Sequence, residues 1–204
     1  HLSIRRQRQM CIRDSYLAAN QYQNFVKSYP KSDRIQEASF KAAKSYYYLS
    51  PSFSLDQEDT YTAIEKLQVF INLYPTTEYS EEANQLISEL QEKLEQKDFE
   101  IAKQYFTIRD YKAAIKASDN FIASFPGTKF REEALYTKFN ASYQIAINSI
   151  FSLKKQRLSE LQKQFDIILR YYPETVFLND LENKIIKVNS ELEKIQPTIS
   201  KLSK

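Results

Sequence analysis

The chain has 204 residues, a formal net charge of +3, 15 tyrosines, 13 phenylalanines, no tryptophan, one glycine, one cysteine and one histidine. One glycine and few β-branched runs argue against a sheet, no stretch approaches the roughly 20 apolar residues of a membrane-spanning helix, and one cysteine excludes an intramolecular disulfide. The charge is local: Arg5, Arg6, Arg8 and Arg13 against Asp14 carry it, and the rest balances acid and base. Nucleic-acid binding, which needs a basic surface for phosphate, loses its support.

Residues 1–15 stand outside the pattern that organises the rest. Their run RRQRQMCIRDS resembles translated adapter sequence, and they are read as a non-native or disordered terminus rather than a basic targeting arm. No signal peptide can be read there. A first helix is expected over Tyr16–Tyr29 and a second over Ile35–Leu49. The insert SPSFSLDQED (50–59) then lengthens the turn before a third helix, Thr60–Tyr74. A long helix follows, Tyr79–Ile108, with Ala83, Leu86, Ile87, Leu90, Leu94, Ile101 and Tyr105 near one stripe. At about 1.5 Å per residue it spans about 45 Å, enough to bridge two halves of an array. Helices at Tyr111–Phe125, Arg131–Ile150 and Arg157–Tyr172 continue the pattern. The eighth, Leu178–Ile195, exposes polar positions and caps the stack; Pro197 and a polar tail (196–204) end the chain.

The period is carried by prolines. Pro30, Pro75, Pro126 and Pro173 each follow an aromatic residue; an aliphatic stands four before (Val26, Ile71, Ile122, Leu169), and Phe25, Phe70, Phe121 or Ile168 five before. Two after each comes a hydroxyl, and seven and eight after come an acid and a small or apolar residue: Glu37-Ala38, Glu82-Ala83, Glu133-Ala134 and Asp180-Leu181. Spacings of 45 to 51 residues, each holding one helical hairpin, indicate an all-α fold, an α-solenoid of about eight helices. Two halves are expected, 16–108 and 109–195. Proline removes a donor and disfavours helix at the residue before it, so the four prolines should end the second helix of successive hairpins. Thr128 is expected to cap the helix that follows it.

Catalysis finds little material. His1 is the only histidine, so Ser-His and Cys-His pairs and histidine-containing metal sites are not available, and no glycine-rich loop cradles phosphate. Glu81-Glu82 and Glu132-Glu133 lie in first turns of helices, where the dipole explains them. No catalytic, metal or cofactor site is therefore expected.

A second aromatic face is the more informative constellation. Phe40, Lys44 and Tyr47 fall at i, i+4 and i+7, and the repeat register brings Phe99, Lys103 and Phe106, and Tyr136, Asn140 and Tyr143, to the same positions. First helices of solenoid hairpins commonly line the concave side, so the three sets are expected to form an aromatic and basic ladder along a peptide-binding groove. The competing expectation is that each ring packs against a neighbouring repeat; lysine, costly inside a seam, can lay its stem on rings with its head in water.

Within Ala102–Pro126 the order AKQYF–RDY–AAI–FP resembles a tetratricopeptide repeat. Over about residues 16–195, and most specifically in SPSFSLDQEDT and FPGTKFREEALY, the chain resembles the BamD-type outer-membrane assembly lipoproteins of Gram-negative bacteria, above all those of the Bacteroidetes group. The resemblance implies a non-enzymatic scaffold of the β-barrel assembly machine. It would be tethered by an acylated cysteine to the periplasmic face of the outer membrane, dock on the periplasmic domains of the barrel-forming insertase through hairpins 130–195, and help receive unfolded outer-membrane proteins. Cys11, in RQMC without the leucine and small residues of a lipidation motif, is not read as the anchor. Alternatives from the residues alone are a tetratricopeptide adaptor for other clients and a structural protein organising the envelope.

Overall fold

In the computed structural model of the chain, eight α-helices follow one another, with no strand among the described residues: α1 (Leu2–Ser28), α2 (Ile35–Tyr47), α3 (Glu58–Leu73), α4 (Ser80–Thr107), α5 (Tyr111–Ser124), α6 (Arg131–Ile147), α7 (Phe151–Tyr171) and α8 (Leu178–Leu202). The structure describes the backbone from Leu2 to Leu202 and the side chains from Asp14 to Ile195; the expectations for His1, Cys11 and the side chains of 1–13 and 196–204 lie outside the described residues. The all-α, tetratricopeptide-like class expected from the sequence is what these residues form.

The prolines act as the period requires. α1, α3, α5 and α7 each end two residues before Pro30, Pro75, Pro126 and Pro173. At the last three of these ends, Tyr74, Phe125 and Tyr172 leave the helix with φ near −130° while their N–H still reaches the carbonyl of Phe70, Phe121 or Ile168. The hydroxyl two beyond does not cap the next helix as expected for Thr128. Thr128 and Thr175 instead accept the N–H of Phe130 and Phe177, two residues on, closing a tight hydroxyl turn before the helix starts.

Some boundaries differ from expectation. α1 starts at Leu2, ahead of Tyr16. α7 starts at Phe151 rather than Arg157, because Ile150 is extended (ψ 152°) and its carbonyl accepts from the N–H groups of Leu153 and Lys154. α8 continues past Pro197 to Leu202.

The chain divides into two compact units, His1–Lys97 and Asp98–Lys204. The division falls inside α4, not at 108/109, and the reason is visible in the packing. The first turns of α4 bury Ala83, Leu86 and Leu90 with Phe40, Leu67 and Phe70. Its last turns bury Phe99 with Phe121 and Ala134. The second unit has its main core between α6, α7 and α8, around Phe139, Leu158, Leu161, Ile168, Leu181 and Val188. Burying each such aliphatic contributes about 1.5–3 kcal/mol.

Two local features set the turns. Between α4 and α5, Arg109 is the one non-glycine residue of positive φ (65°) among the described residues, and Asp110 caps α5 by accepting the N–H of Ala113 at 3.1 Å. The left-handed region costs a side-chain-bearing residue about 1–2 kcal/mol. Arg109→Gly should therefore raise the urea midpoint, by a net stabilisation of about 0.5–1 kcal/mol after glycine's greater unfolded-state freedom; an unchanged or lowered midpoint would show that the arginine side chain contributes there.

The 50–59 insert is held by a relay of hydrogen bonds. Lys93 donates to Ser50 (2.7 Å), Ser50 lies 2.7 Å from Thr60, and Thr60 donates to Gln57 (2.8 Å). The Gln57 amide donates in turn to the carbonyls of Ser52 and Leu55 at 2.8 and 2.9 Å. Gln57 and Thr60 are buried, which is why a polar chain needs this complete set of partners.

Candidate functional site

The three ladder sets occupy equivalent places, each inside one unit. In the first unit, the Phe40 ring is buried between Phe70 (centroids 5.4 Å apart) and Tyr79 (5.0 Å, stacked). Lys44 lies over the Phe40 ring and its ammonium meets Glu82 at 2.5 Å. Tyr47, half-buried, donates to Glu89 at 2.6 Å. In the second unit the Phe99 ring is buried between Phe121 (5.7 Å) and Phe130 (5.3 Å, stacked), and Lys103 lies over it and pairs with Glu133 at 3.1 Å. Phe106 is half-buried, edging Tyr111 at 5.7 Å.

The third set keeps the geometry and moves the cation. Tyr136 stacks on Phe177 at 3.9 Å and its hydroxyl donates to Asp180 at 2.8 Å. The lysine is now Lys184, on α8. It pairs with Asp180, donates to Asn140 at 2.6 Å, and lies over both the Tyr136 and Tyr143 rings. Asn140 and Tyr143 are buried.

One rule covers all three. An aromatic on a first helix packs on an aromatic four after a proline, Tyr79, Phe130 or Phe177, in a cluster that also holds the residue five before that proline. Four residues on from the inserted ring, a polar group meets the acid or its lysine. The rings thus seal one first helix to the next, and each set holds its own cation and carboxylate. The aromatics four after Pro75, Pro126 and Pro173 were missed in reading the sequence; they share the proline register and were available there. What each set leaves at the surface is the ammonium edge of Lys44 and Lys103 and the half-buried rings of Tyr47 and Phe106.

The electrostatics follow the pairs. The Glu89 carboxylate, with burial adding to it, pushes the Tyr47 hydroxyl up to about 12, so it stays a donor through the neutral range. The hydrogen bond to Glu82 raises Lys44. Burial opposes the charge of Lys103, but its bonds to Glu133 and Glu100 outweigh that and raise it. Asp180 is likewise pushed up by burial and held down, on balance, by Lys184 and Tyr136. Exposed pairs of this kind contribute about 0–1 kcal/mol each.

The largest carboxylate shift is at the far end of α8. Glu191 receives Lys154 from α7 at 2.7 Å and Lys194 at 2.9 Å, and these bonds hold it at about 2 against an ordinary 4.5. A carboxylate whose folded value is depressed stabilises fully above the unfolded value and loses that contribution as pH falls through the folded one. Stability of the α7–α8 pair should fall between pH 4.5 and 2. Acid titration followed by circular dichroism should show a shallower slope over that window in Glu191→Gln; an identical slope would mean that the pairs do not persist in solution.

Among the described residues no three histidine, cysteine or acidic side chains are grouped as a metal site, and no helix is long and apolar enough to cross a membrane. The remaining concavities are open grooves between helices, among them one between α1 and α2 and one shared by α1, α2 and α3. Set beside known proteins, the chain matches no curated sequence. A family model does match, that of YfiO, described as an outer membrane lipoprotein, over residues 11–158. With most of the chain covered, and a fold of proline-phased helical hairpins, the protein belongs to the YfiO family of outer-membrane lipoproteins.

Proposed function

We propose that the protein is a scaffold of the outer-membrane β-barrel assembly machinery, in the BamD role, working by protein–protein contacts and without catalysis. It acts at the periplasmic face of the outer membrane, held there by a lipid anchor. Membership of an outer-membrane lipoprotein family supports the location and the machinery. On this reading hairpins 130–195 dock on the periplasmic domains of the insertase, and the ladder receives unfolded outer-membrane proteins.

The observation that carries the client-binding part is that each unit pairs a half-buried ring with a lysine, Tyr47 with Lys44 in the first and Phe106 with Lys103 in the second. Phe40, Phe99, Tyr136, Asn140 and Tyr143 are taken up in holding helices together. Tyr47, Phe106, Lys44 and Lys103 retain exposed surface, and they sit on helices that those buried residues fix. Segments of unfolded barrel proteins alternate aromatic and polar residues, and such rings and cations suit them. A few partly exposed contacts give weak, exchangeable binding, suited to handover. Fluorescence titration with a barrel-terminal peptide should show about fivefold to tenfold weaker capture by Tyr47→Ala or Phe106→Ala, with unchanged helical content. Unchanged affinity in folded variants would return these rings to packing alone.

A further inference from the structure

The repeat has one socket more than it has rings. Phe40, Phe99 and Tyr136 each fill a space bounded by residues five before and four, seven and eight after a proline. The same register around Pro30 gives Phe25, Arg34, Glu37 and Ala38. These residues, with Tyr22 and Lys41, line an open groove of about 340 Å³ between α1 and α2. It continues past Ala18 and Tyr22 toward Lys44 and Tyr48.

Burial shows that the first copy lacks its filler. Phe70, Phe121 and Ile168 are 2–3% exposed, whereas their counterpart Phe25 is only half-buried. Ala63, Ala114 and Leu161 are fully buried, and their counterpart Ala18 is not. The opposite end of the array is finished differently. On α8 the three ladder positions are Asn183, Lys187 and Ser190, all exposed, as suits a terminal helix facing water. The α1–α2 end instead presents an apolar trough with a charged rim. Residues 1–13 contain no aromatic residue that could fill it.

The rim specifies what fits. Glu37 is neutralised by Lys41 on its own helix at 2.6 Å. Those two positions correspond to Asp180 and Lys184, and the helix they hold is α6, with Tyr136 in the socket and Asn140 taking the lysine's hydrogen bond. The other junctions, where Glu82 and Glu133 carry no lysine four residues on, take a lysine-bearing helix instead. We propose that the α1–α2 groove is a docking site for an amphipathic helix from outside these 204 residues, carrying an aromatic at i and an asparagine or glutamine at i+4. The ring enters between Phe25 and Arg34, and the amide oxygen accepts from Lys41.

The test uses the full chain and a synthetic peptide copying residues 131–147. Titration by fluorescence anisotropy should show saturable binding, weakened at least about tenfold when the peptide carries Tyr136→Ala. The exposed Lys41→Ala change in the protein should weaken the parent peptide by a similar factor and add little further loss for a peptide with Asn140→Ala, the signature of two groups that bond each other. Absence of saturable binding, or losses from Lys41→Ala and Asn140→Ala that simply multiply, would overturn the assignment. So would concentration-dependent self-association of the chain that Lys41→Ala relieves without peptide, since a second copy would then be the occupant.

Discussion

Phe99→Ala is expected to cost about 3–5 kcal/mol of unfolding free energy. The ring is 1% exposed, stacks on Phe130 and packs tilted against Phe121, with the Lys103 ammonium 5.1 Å from its centroid. Removing it leaves a void that two aromatic walls, each fixed by its own helix, cannot collapse to fill. It also strips the lysine stem of the surface it lies on. Phe106→Ala, seven residues on the same helix but half-exposed, should cost about 1 kcal/mol. Urea denaturation followed at 222 nm measures both. A Phe99→Ala loss below about 1.5 kcal/mol would show that the socket is loosely filled.

Gln57→Leu should cost about 2–3 kcal/mol and loosen the 50–59 insert. The substitution leaves Thr60, fully buried, without its acceptor, and the carbonyls of Ser52 and Leu55 without their amide donor. Leucine has the right volume, so a large loss isolates the hydrogen bonds from packing. Lys97, which also donates to Leu55, and Lys93, which donates to Ser50, remain to hold the outer end. Amide exchange in residues 50–59 should quicken more than in α2 or α3. Equal protection before and after would mean that the insert is fixed by other contacts.

The sequence disclosed the helices because their causes are local. A proline one turn beyond an apolar stripe, repeated four times with the same neighbours, determines where α1, α3, α5 and α7 stop, and the structure stops them there. The Gln57 relay was invisible to that kind of reading, since its members share no period and meet only when α3 and α4 are placed. The division inside α4 was hidden for a related reason. Nothing in an unbroken helical stripe says which of its turns are buried by earlier helices and which by later ones. The ladder was legible as three equivalent sets but not as sockets, because the ring that covers Phe40 or Phe99 lies far along the chain.

The placement of the lysines has a consequence for how the hairpins find their order. Near-identical hairpins can pair out of sequence during folding, a common failure of repeat proteins. Here the junctions differ in which side holds the cation. α2 and the end of α4 bring a lysine to a bare glutamate; α6 brings an asparagine to an aspartate already holding its own lysine. A misplaced α4 end against α8 would set Lys103 beside Lys184 over one carboxylate. A misplaced α6 against the start of α4 would leave Glu82 without a cation. The exchange of one charge between helices thus works as a keying device, penalising wrong neighbours where shape alone would accept them.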